Sequence, residues 1–189
     1  MVAGRLLRPM GLTAVVSSDL RRARATAELI AAELPVPGPI GVYGALREYD
    51  LGAWSGLTHD EIEQRWPGAI EDWRQGRSCA TPGGERRDLF VARISAALSR
   101  VAADHPDDTV LVITHGGVMG ALVRSLGSSP RRFTHLSGLW MDVEGDSLAL
   151  GDEVALLGPG LGLGRADTDR GEGTELSATA VGVIDTPAR

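Results

Sequence analysis

The strongest constraint on the fold is an apolar run that ends in a histidine and two glycines. Residues 109–113 read TVLVI, and the sequence THGG follows directly at 114–117. A run that is apolar on both faces is typical of a strand at the centre of a parallel sheet. Apolar residues then recur at helical spacing over residues 118–126. The segment therefore predicts a strand, a tight turn and a helix.

A second segment near the N-terminus repeats this arrangement. Residues 12–17 read LTAVVS and predict a short buried strand. Ser18 or Asp19 can cap a helix, and the apolar spacing predicts that helix over residues 19–33. Two strand-turn-helix units indicate an α/β fold with a mostly parallel central sheet.

The remaining chain predicts shorter elements around these two units. Thr58 and Glu61 have the spacing of a capping box, in which each residue caps the other at the start of a helix. The other predicted elements are helices at residues 58–66, 69–75 and 85–103, and weak strands at 139–143 and 154–157. Residues 158–189 are rich in Gly, Asp, Thr and Ala without a sustained period, and we expect a flexible tail there.

Charge and cysteine content exclude several classes of protein. The net charge of -6 argues against nucleic-acid or anionic-membrane partners, which require a basic face. A single cysteine, Cys79, cannot form an intrachain disulfide and fits a reducing cytoplasm. The sequence shows neither a signal peptide nor an apolar run of the ~20 residues that a membrane span needs. We therefore expect a cytoplasmic protein without a membrane or nucleic-acid partner; its oligomeric state stays open.

His115 is a candidate for chemistry because of its place after a central strand. Ligands of open α/β sheets bind outside the carboxyl ends of the strands. The glycines at 116–117 allow a close backbone approach, and the helix that follows presents free N–H groups to an anion. His115 can therefore bind or polarise a phosphate, or it can simply cap the helix as a polar turn residue.

Arg22 and Glu48 are two further candidates. Arg22 lies in the first turn after the first strand, where a guanidinium can bind a phosphate bidentately, but periodicity does not separate it from Arg21 and Arg24. Glu48 lies in a loop, where a carboxyl group can protonate a leaving oxygen if its pKa is raised. Each has an alternative as an ordinary surface residue.

Four segments resemble those of the histidine phosphatase superfamily, to which cofactor-dependent phosphoglycerate mutase belongs. Residues 18–27 are similar to its S-x-L-x-R-A-x-x-T-A segment, and residues 46–58 to its L-x-E-x-x-x-G-x-W-x-G-x-T segment. Residues 82–85 resemble its G-G-E turn, and residues 114–117 its second histidine motif. The resemblance implies a phosphoglycerate mutase-like three-layer sandwich that here lacks its first strand and helix.

The resemblance also implies a mechanism. In the family, a histidine in an Arg-His-Gly triplet attacks phosphorus and becomes a phosphohistidine, and a glutamate protonates the leaving group. Carried over by motif, Arg22 clamps the phosphate, His115 is the second histidine and Glu48 is the acid. Gly116 offers its backbone N–H to the phosphate. No metal and no cofactor are implied.

The Arg-His-Gly triplet itself does not occur in the sequence. His59, His105 and His135 do not stand in such a context. In the family a strand and a helix precede the segment at 18–27, and here residues 2–10 resemble only the end of that helix. We therefore expect an incomplete domain at 1–157, exposed central strand edges, low stability and loss of activity. A misplaced start codon or a truncated gene product would explain this.

Three functions stay open at this point. The first is a phosphomonoester hydrolase acting on a small sugar phosphate or phosphoglycerate derivative. The second is a non-catalytic phosphate-binding remnant or regulatory protein, and the third is a decaying gene product. A phosphatase is favoured over a mutase because mutases of the family carry longer insertions.

The finer resemblance is to actinobacterial phosphatases, including those that act on glucosyl-3-phosphoglycerate. It rests on residues 56–59 (GLTH), residues 67–69 (PGA) and Trp140. Those relatives carry an asparagine ahead of the tryptophan, whereas Ser137 and Gly138 occupy that region here.

Overall fold

The computed structural model describes residues 2–129, 133–156 and 179–185. The helices in this part of the chain are α1 (Val2–Leu7), α2 (Arg21–Ala31), α3 (His59–Arg65), α4 (Ala69–Arg74), α5 (Arg87–Asp104) and α6 (Gly116–Ser125). The strands are β1 (Ala14–Ser17), β2 (Gly41–Val42), β3 (Thr109–His115), β4 (Ser137–Glu144), β5 (Ser147–Ala155) and β6 (Thr179–Asp185). They form one sheet in the order β2-β1-β3-β6-β4-β5.

Helices cover both faces of this sheet, so the predicted α/β three-layer class is confirmed. Successive strand side chains point to opposite faces. Leu111 and Ile113 accordingly pack in one buried cluster with residues of α1 and α2, such as Ile30. Val110 and Val112 pack on the other face in a cluster with residues of α5 and α6.

Three neighbouring strands are parallel and end at the same edge of the sheet. β1 pairs with β2 through Val16 and Gly41, and with β3 through Val16 and Val112. The loops that follow β1, β2 and β3 therefore meet at one edge.

The centre of the sheet differs from the expectation. β6 lies between β3 and β4, antiparallel to the first and parallel to the second. A flexible tail was predicted for residues 158–189, and open strand edges were expected at the sheet centre. Residues 179–185 instead form a strand that pairs with both edges, because unpaired buried backbone groups require partners.

The composition of the surrounding stretch concealed this strand. Residues 180–184 read AVGVI, which has β-branched character, but they follow a long run rich in Gly, Asp and Thr. Residues 157–178 and 186–189, also part of the predicted tail, lie outside the described residues. Three of the five strand pairings are parallel, so the sheet is mixed but mostly parallel, as predicted.

Two helix-capping predictions had opposite outcomes. The capping box is confirmed: the Glu61 N–H donates to Thr58 Oγ1, and the Thr58 N–H donates to Glu61 Oε2. Helix α2 is not capped by Ser18 or Asp19, because its N-cap residue is Leu20, without a side-chain cap. The side chains of Ser18 and Asp19 have other partners at the sheet edge.

Candidate active site

The loops after β1, β2 and β3 are tied to one another at the carboxyl edge of the parallel strands. The Ser18 N–H donates to the Ile113 carbonyl at 2.9 Å, which joins the first loop to β3. Thr114 Oγ1 donates to the Leu46 carbonyl at 2.9 Å, which joins β3 to the loop that carries Glu48. These bonds bring the predicted residues of three separate motifs together.

His115 is fully buried at the end of β3. Its Nε2 shares a hydrogen bond of 2.9 Å with Ser18 Oγ, whereas its Nδ1 has no hydrogen-bond partner among the described residues. Burial, and secondarily the positive charge of Arg22, lower the pKa of His115 to about 4, against a smaller opposing effect of Asp19. The imidazole is therefore neutral at neutral pH.

Glu48 is also buried, and its pKa is shifted in the opposite direction. Its Oε1 accepts the Tyr49 N–H at 2.9 Å and its Oε2 accepts the Gly117 N–H at 3.1 Å. Burial raises the pKa of Glu48 to about 7, outweighing these two hydrogen bonds and the charges of Arg22 and Arg93. A carboxyl group with this pKa can give up a proton and take one back near neutral pH.

Arg22 is distinguished from its neighbours by its electrostatic effect on both groups. Its positive charge lowers the pKa of Glu48 and of His115. Arg24, by contrast, lies 3.9 Å from Glu28 in an exposed ion pair on α2. The structure thus separates Arg22 from Arg24, which periodicity could not do.

The glycine that contacts Glu48 is Gly117, a residue that the sequence reasoning missed. A Cβ at Gly117 would overlap the Glu48 carboxyl group, so only glycine allows this approach. Gly116, the predicted phosphate donor, is half-buried at the first position of α6, and its role stays a prediction. The second glycine of residues 114–117 was the only signal available in the sequence.

Two ion pairs hold the Glu48 loop, and neither was predicted. Arg47 binds Asp19 bidentately, with both N···O distances at 2.6 Å, and this hydrogen bonding lowers the pKa of Asp19. Arg93 pairs with Glu85 at 2.8 Å and donates to the Ala45 carbonyl at 2.6 Å. Glu85, the last residue of the segment that resembles the G-G-E turn, thus forms an ion pair with the arginine that holds the loop.

The other histidines lie in different settings. His59 begins α3, and His105 contacts Asp108 at 3.3 Å, near the start of β3 and far from its carboxyl end. His135 is exposed two residues before β4.

In the described ranges, no group of three or more His, Cys, Asp and Glu side chains is arranged to hold a metal ion. Likewise, none of the helices described is both long and apolar enough to cross a membrane.

Comparison with known families agrees with this architecture. The profile of the histidine phosphatase superfamily (branch 1) matches residues 2–139. The chain therefore belongs to the histidine phosphatase superfamily, as the sequence motifs indicated.

Individual relatives are named phosphatases and phosphoglycerate mutases. Glucosyl-3-phosphoglycerate phosphatase of Mycobacterium tuberculosis is 35% identical over 146 residues, which are 67% of this chain and 65% of that protein. Phosphoglycerate mutase-like protein 4 of Arabidopsis thaliana is 35% identical over 69% of this chain and 57% of its own length. The chain thus spans less than two thirds of the length of each of these curated relatives.

Solved structures show the same fold. Bacillus stearothermophilus YhfR superposes with a TM-score of 0.67 at 29% identity, over 82% of this chain and 81% of its own. The mycobacterial glucosyl-3-phosphoglycerate phosphatase in complex with inorganic phosphate has a TM-score of 0.58 at 35% identity, over 66% of this chain and 63% of its own.

Proposed function

We propose that the protein is a phosphomonoester hydrolase that acts through a phosphohistidine on a small sugar phosphate or phosphoglycerate derivative. The observation that carries this proposal is Glu48, a buried carboxyl group that accepts the Gly117 N–H and has a pKa of about 7. It lies at the same sheet edge as the neutral His115, and the charge of Arg22 acts on both groups. The relatives named as phosphatases, among them one that was solved with inorganic phosphate, support the substrate class.

In the proposed first step, a histidine nitrogen attacks phosphorus as the bond from phosphorus to the leaving oxygen breaks. Glu48 gives its proton to that oxygen, so that an alcohol leaves and Glu48 becomes a carboxylate. Arg22 and His115 bind the phosphoryl oxygens and stabilise the charge that develops on them. In the second step, water gives its proton to Glu48 and attacks phosphorus, which releases inorganic phosphate and the histidine.

The attacking histidine of this scheme stands in an Arg-His-Gly triplet, which the chain does not contain. We therefore propose that the chain alone binds phosphate without turning substrate over. A longer native polypeptide that includes the triplet would have the full activity. The alternative is a phosphate-binding remnant or regulatory protein that never forms a phosphohistidine.

The phosphate site is tested by titrating inorganic phosphate and vanadate into the chain by calorimetry. Arg22→Gln should weaken binding about tenfold or more, because it removes a charge-assisted hydrogen bond. Arg24→Gln, three residues from the N-terminus of the same helix and already paired with Glu28, is the matched control and should leave binding unchanged. Equal loss in both variants, or no phosphate binding at all, would refute the site.

The two functional alternatives are separated by the native protein. Its intact mass from source cells is either near 19.9 kDa or clearly above it. A heavier species with an Arg-His-Gly peptide should hydrolyse phosphomonoesters and lose that activity in Glu48→Gln. A species at the lower mass that binds phosphate without turnover would support the remnant instead.

A further inference from the structure

We propose that a pocket next to Glu48 binds a second anionic group, a carboxylate or a second phosphate, on the leaving-group side of the substrate. This inference rests on the proposed function, which places a phosphomonoester at the sheet edge. The pocket is formed chiefly by Trp73, Arg87, Phe90 and Arg124, and is called the arginine pocket below.

The arginine pocket is a cavity of about 250 Å³ that shares a wall with the candidate active site. Gly117 lines the cavity and also donates its N–H to Glu48 Oε2. Tyr49, the residue after Glu48, lines it as well. Because Glu48 gives its proton to the leaving oxygen in the proposed reaction, the leaving alcohol has this cavity directly beside it.

Arg87 is a half-buried cation in this cavity without a carboxylate partner among the described residues. Its guanidinium carbon lies 4.5 Å from the centroid of the Trp73 ring, and it donates a hydrogen bond to the Trp73 carbonyl. Its Nε is buried and has no hydrogen-bond partner in the described part of the chain. A buried N–H without an acceptor costs free energy, and an anionic ligand would supply the missing acceptor.

Neighbouring arginines show that this lack of a partner is specific. Arg86 binds Asp88 at 2.9 Å, Arg93 binds Glu85 and Arg100 binds Asp104. Arg87 lies among them on the sequence, yet burial and the positive charge of Arg124 both lower its pKa. Two cations line one cavity, with no acid among its described lining residues, and this arrangement favours a negative charge there.

Arg124 lines the cavity from α6, with its guanidinium close to Gly120, one helical turn earlier. Its guanidinium nitrogen Nη1 lies 3.8 Å from the position that a Cβ on Gly120 would occupy. The arginine side chain therefore lies back along α6, over Gly120. It has no ion pair with any acid that the structure describes, so its charge is available to a ligand.

The geometry of the cations selects the class of ligand. A guanidinium binds planar or tetrahedral oxyanions through paired N–H groups. Trp73 and Phe90 add apolar surface to the lining of the cavity, which suits a short carbon chain. The inferred ligand is a small phosphomonoester whose alcohol portion carries its own negative charge.

The test compares ligands that differ only in the second anion, titrated into the chain by calorimetry. The ligands are glycerol 3-phosphate, 3-phosphoglycerate and glycerol 1,3-bisphosphate. We expect at least one of the doubly anionic ligands to bind about tenfold tighter than glycerol 3-phosphate. Preference for 3-phosphoglycerate identifies a carboxylate, and preference for the bisphosphate identifies a second phosphate.

Three variants then locate the effect. Arg87→Gln and Arg124→Gln should each remove the preference, while Arg86→Gln, whose side chain binds Asp88 instead, should keep it. If Arg87→Gln fails to fold, the exposed Arg124 still provides the test. Equal affinities for all three ligands in the unmodified chain, or a preference that survives both pocket variants, would overturn the inference.

Failure of the pocket can be told apart from failure of the proposed function. D-glycerate carries the carboxylate without a phosphate and tests the arginine pocket alone. The part of inorganic phosphate binding that is lost in Arg22→Gln and kept in Arg124→Gln tests the sheet-edge site alone. Loss of phosphate binding with retained, Arg124-dependent glycerate binding would reject the phosphomonoesterase and keep an anion site, whereas the reverse would reject the pocket alone.

Discussion

The sheet-edge site, defined by Arg22, Glu48 and His115, and the arginine pocket hold anion-binding groups in two different ways. At the sheet edge, Glu48 and His115 are buried. Burial favours the neutral form of each side chain, so it raises the pKa of Glu48 and lowers the pKa of His115. In the arginine pocket, two arginine side chains on different helices line one cavity. A site that must move protons uses groups with shifted pKa values, whereas a site that only binds can use fixed charges.

The pH dependence of stability gives the largest expected contrast between the two regions. The pKa of Glu48 is raised from 4.5 to about 7, so the folded state holds an extra proton in that window and loses about 3 kcal/mol of stability as pH rises through it. The pKa of His115 is lowered from 6.5 to about 4, so the unfolded state holds an extra proton in that window. The neutral His115 therefore stabilises the fold above the window, and about 3 kcal/mol of stability is lost as pH falls through it. Because the two pH windows overlap, these opposite changes in stability should nearly cancel in the unmodified chain.

Chemical denaturation of Glu48→Gln at several pH values breaks this balance. Relative to the unmodified chain, the variant should lose about 3 kcal/mol as pH is lowered from 7 to 4, because the His115 contribution is no longer offset. Arg124→Gln is the control and should show no change of slope, since a guanidinium stays charged throughout this range. Parallel curves for Glu48→Gln and the unmodified chain would show that Glu48 is not buried as described.

Gly117 is the residue that the two regions share, and substituting it should disturb both. Gly117→Ala places a Cβ against the Glu48 carboxyl group and should destabilise the chain by about 1–3 kcal/mol. Gly120→Ala on the same helix has ordinary contacts and should be neutral or stabilise by about 0.5–1 kcal/mol. Thermal unfolding of the two variants measures the difference; equal stabilities would mean that Glu48 does not approach Gly117.

The smallest expected effect is the influence of Arg22 on its two neighbours. Its charge lowers the pKa of both Glu48 and His115, so Arg22→Gln should raise both values. The change should be small, because Arg22 is exposed and water screens its charge. An NMR titration of the His115 ring measures it, with Arg24→Gln as the control. A shift of equal size in the control would mean that general surface charge, not Arg22, acts on the site.

Sequence patterns predicted the parallel half of the sheet much better than the other half. The apolar run at 109–113 and the capping box of Thr58 and Glu61 are local signals, and both elements formed as expected. The strand at 179–185 was missed, because its partners β3 and β4 are distant in sequence and composition favoured a tail. A short stretch of sequence does not show which distant strands it will pair with.

The candidate site shows the same division. Arg22, Glu48 and His115 were each named from motifs, and the sheet edge brings them together as parallel strands require. The sequence did not reveal Gly117 as the contact of Glu48, the Asp19–Arg47 pair, or the shared cavity of Arg87 and Arg124. These contacts join loops and helices that are far apart along the chain.

By itself, the sequence determined the class of fold, the family and the residue types available for phosphate chemistry, because these depend on local periodicity and short motifs. Only the tertiary structure decided the protonation states of Glu48 and His115, since burial is produced by the packing of separate segments. The tertiary structure also decided which arginines lack an acidic partner. That depends on which side chains the packing of helices and loops brings together, as it does for Arg93 and Glu85.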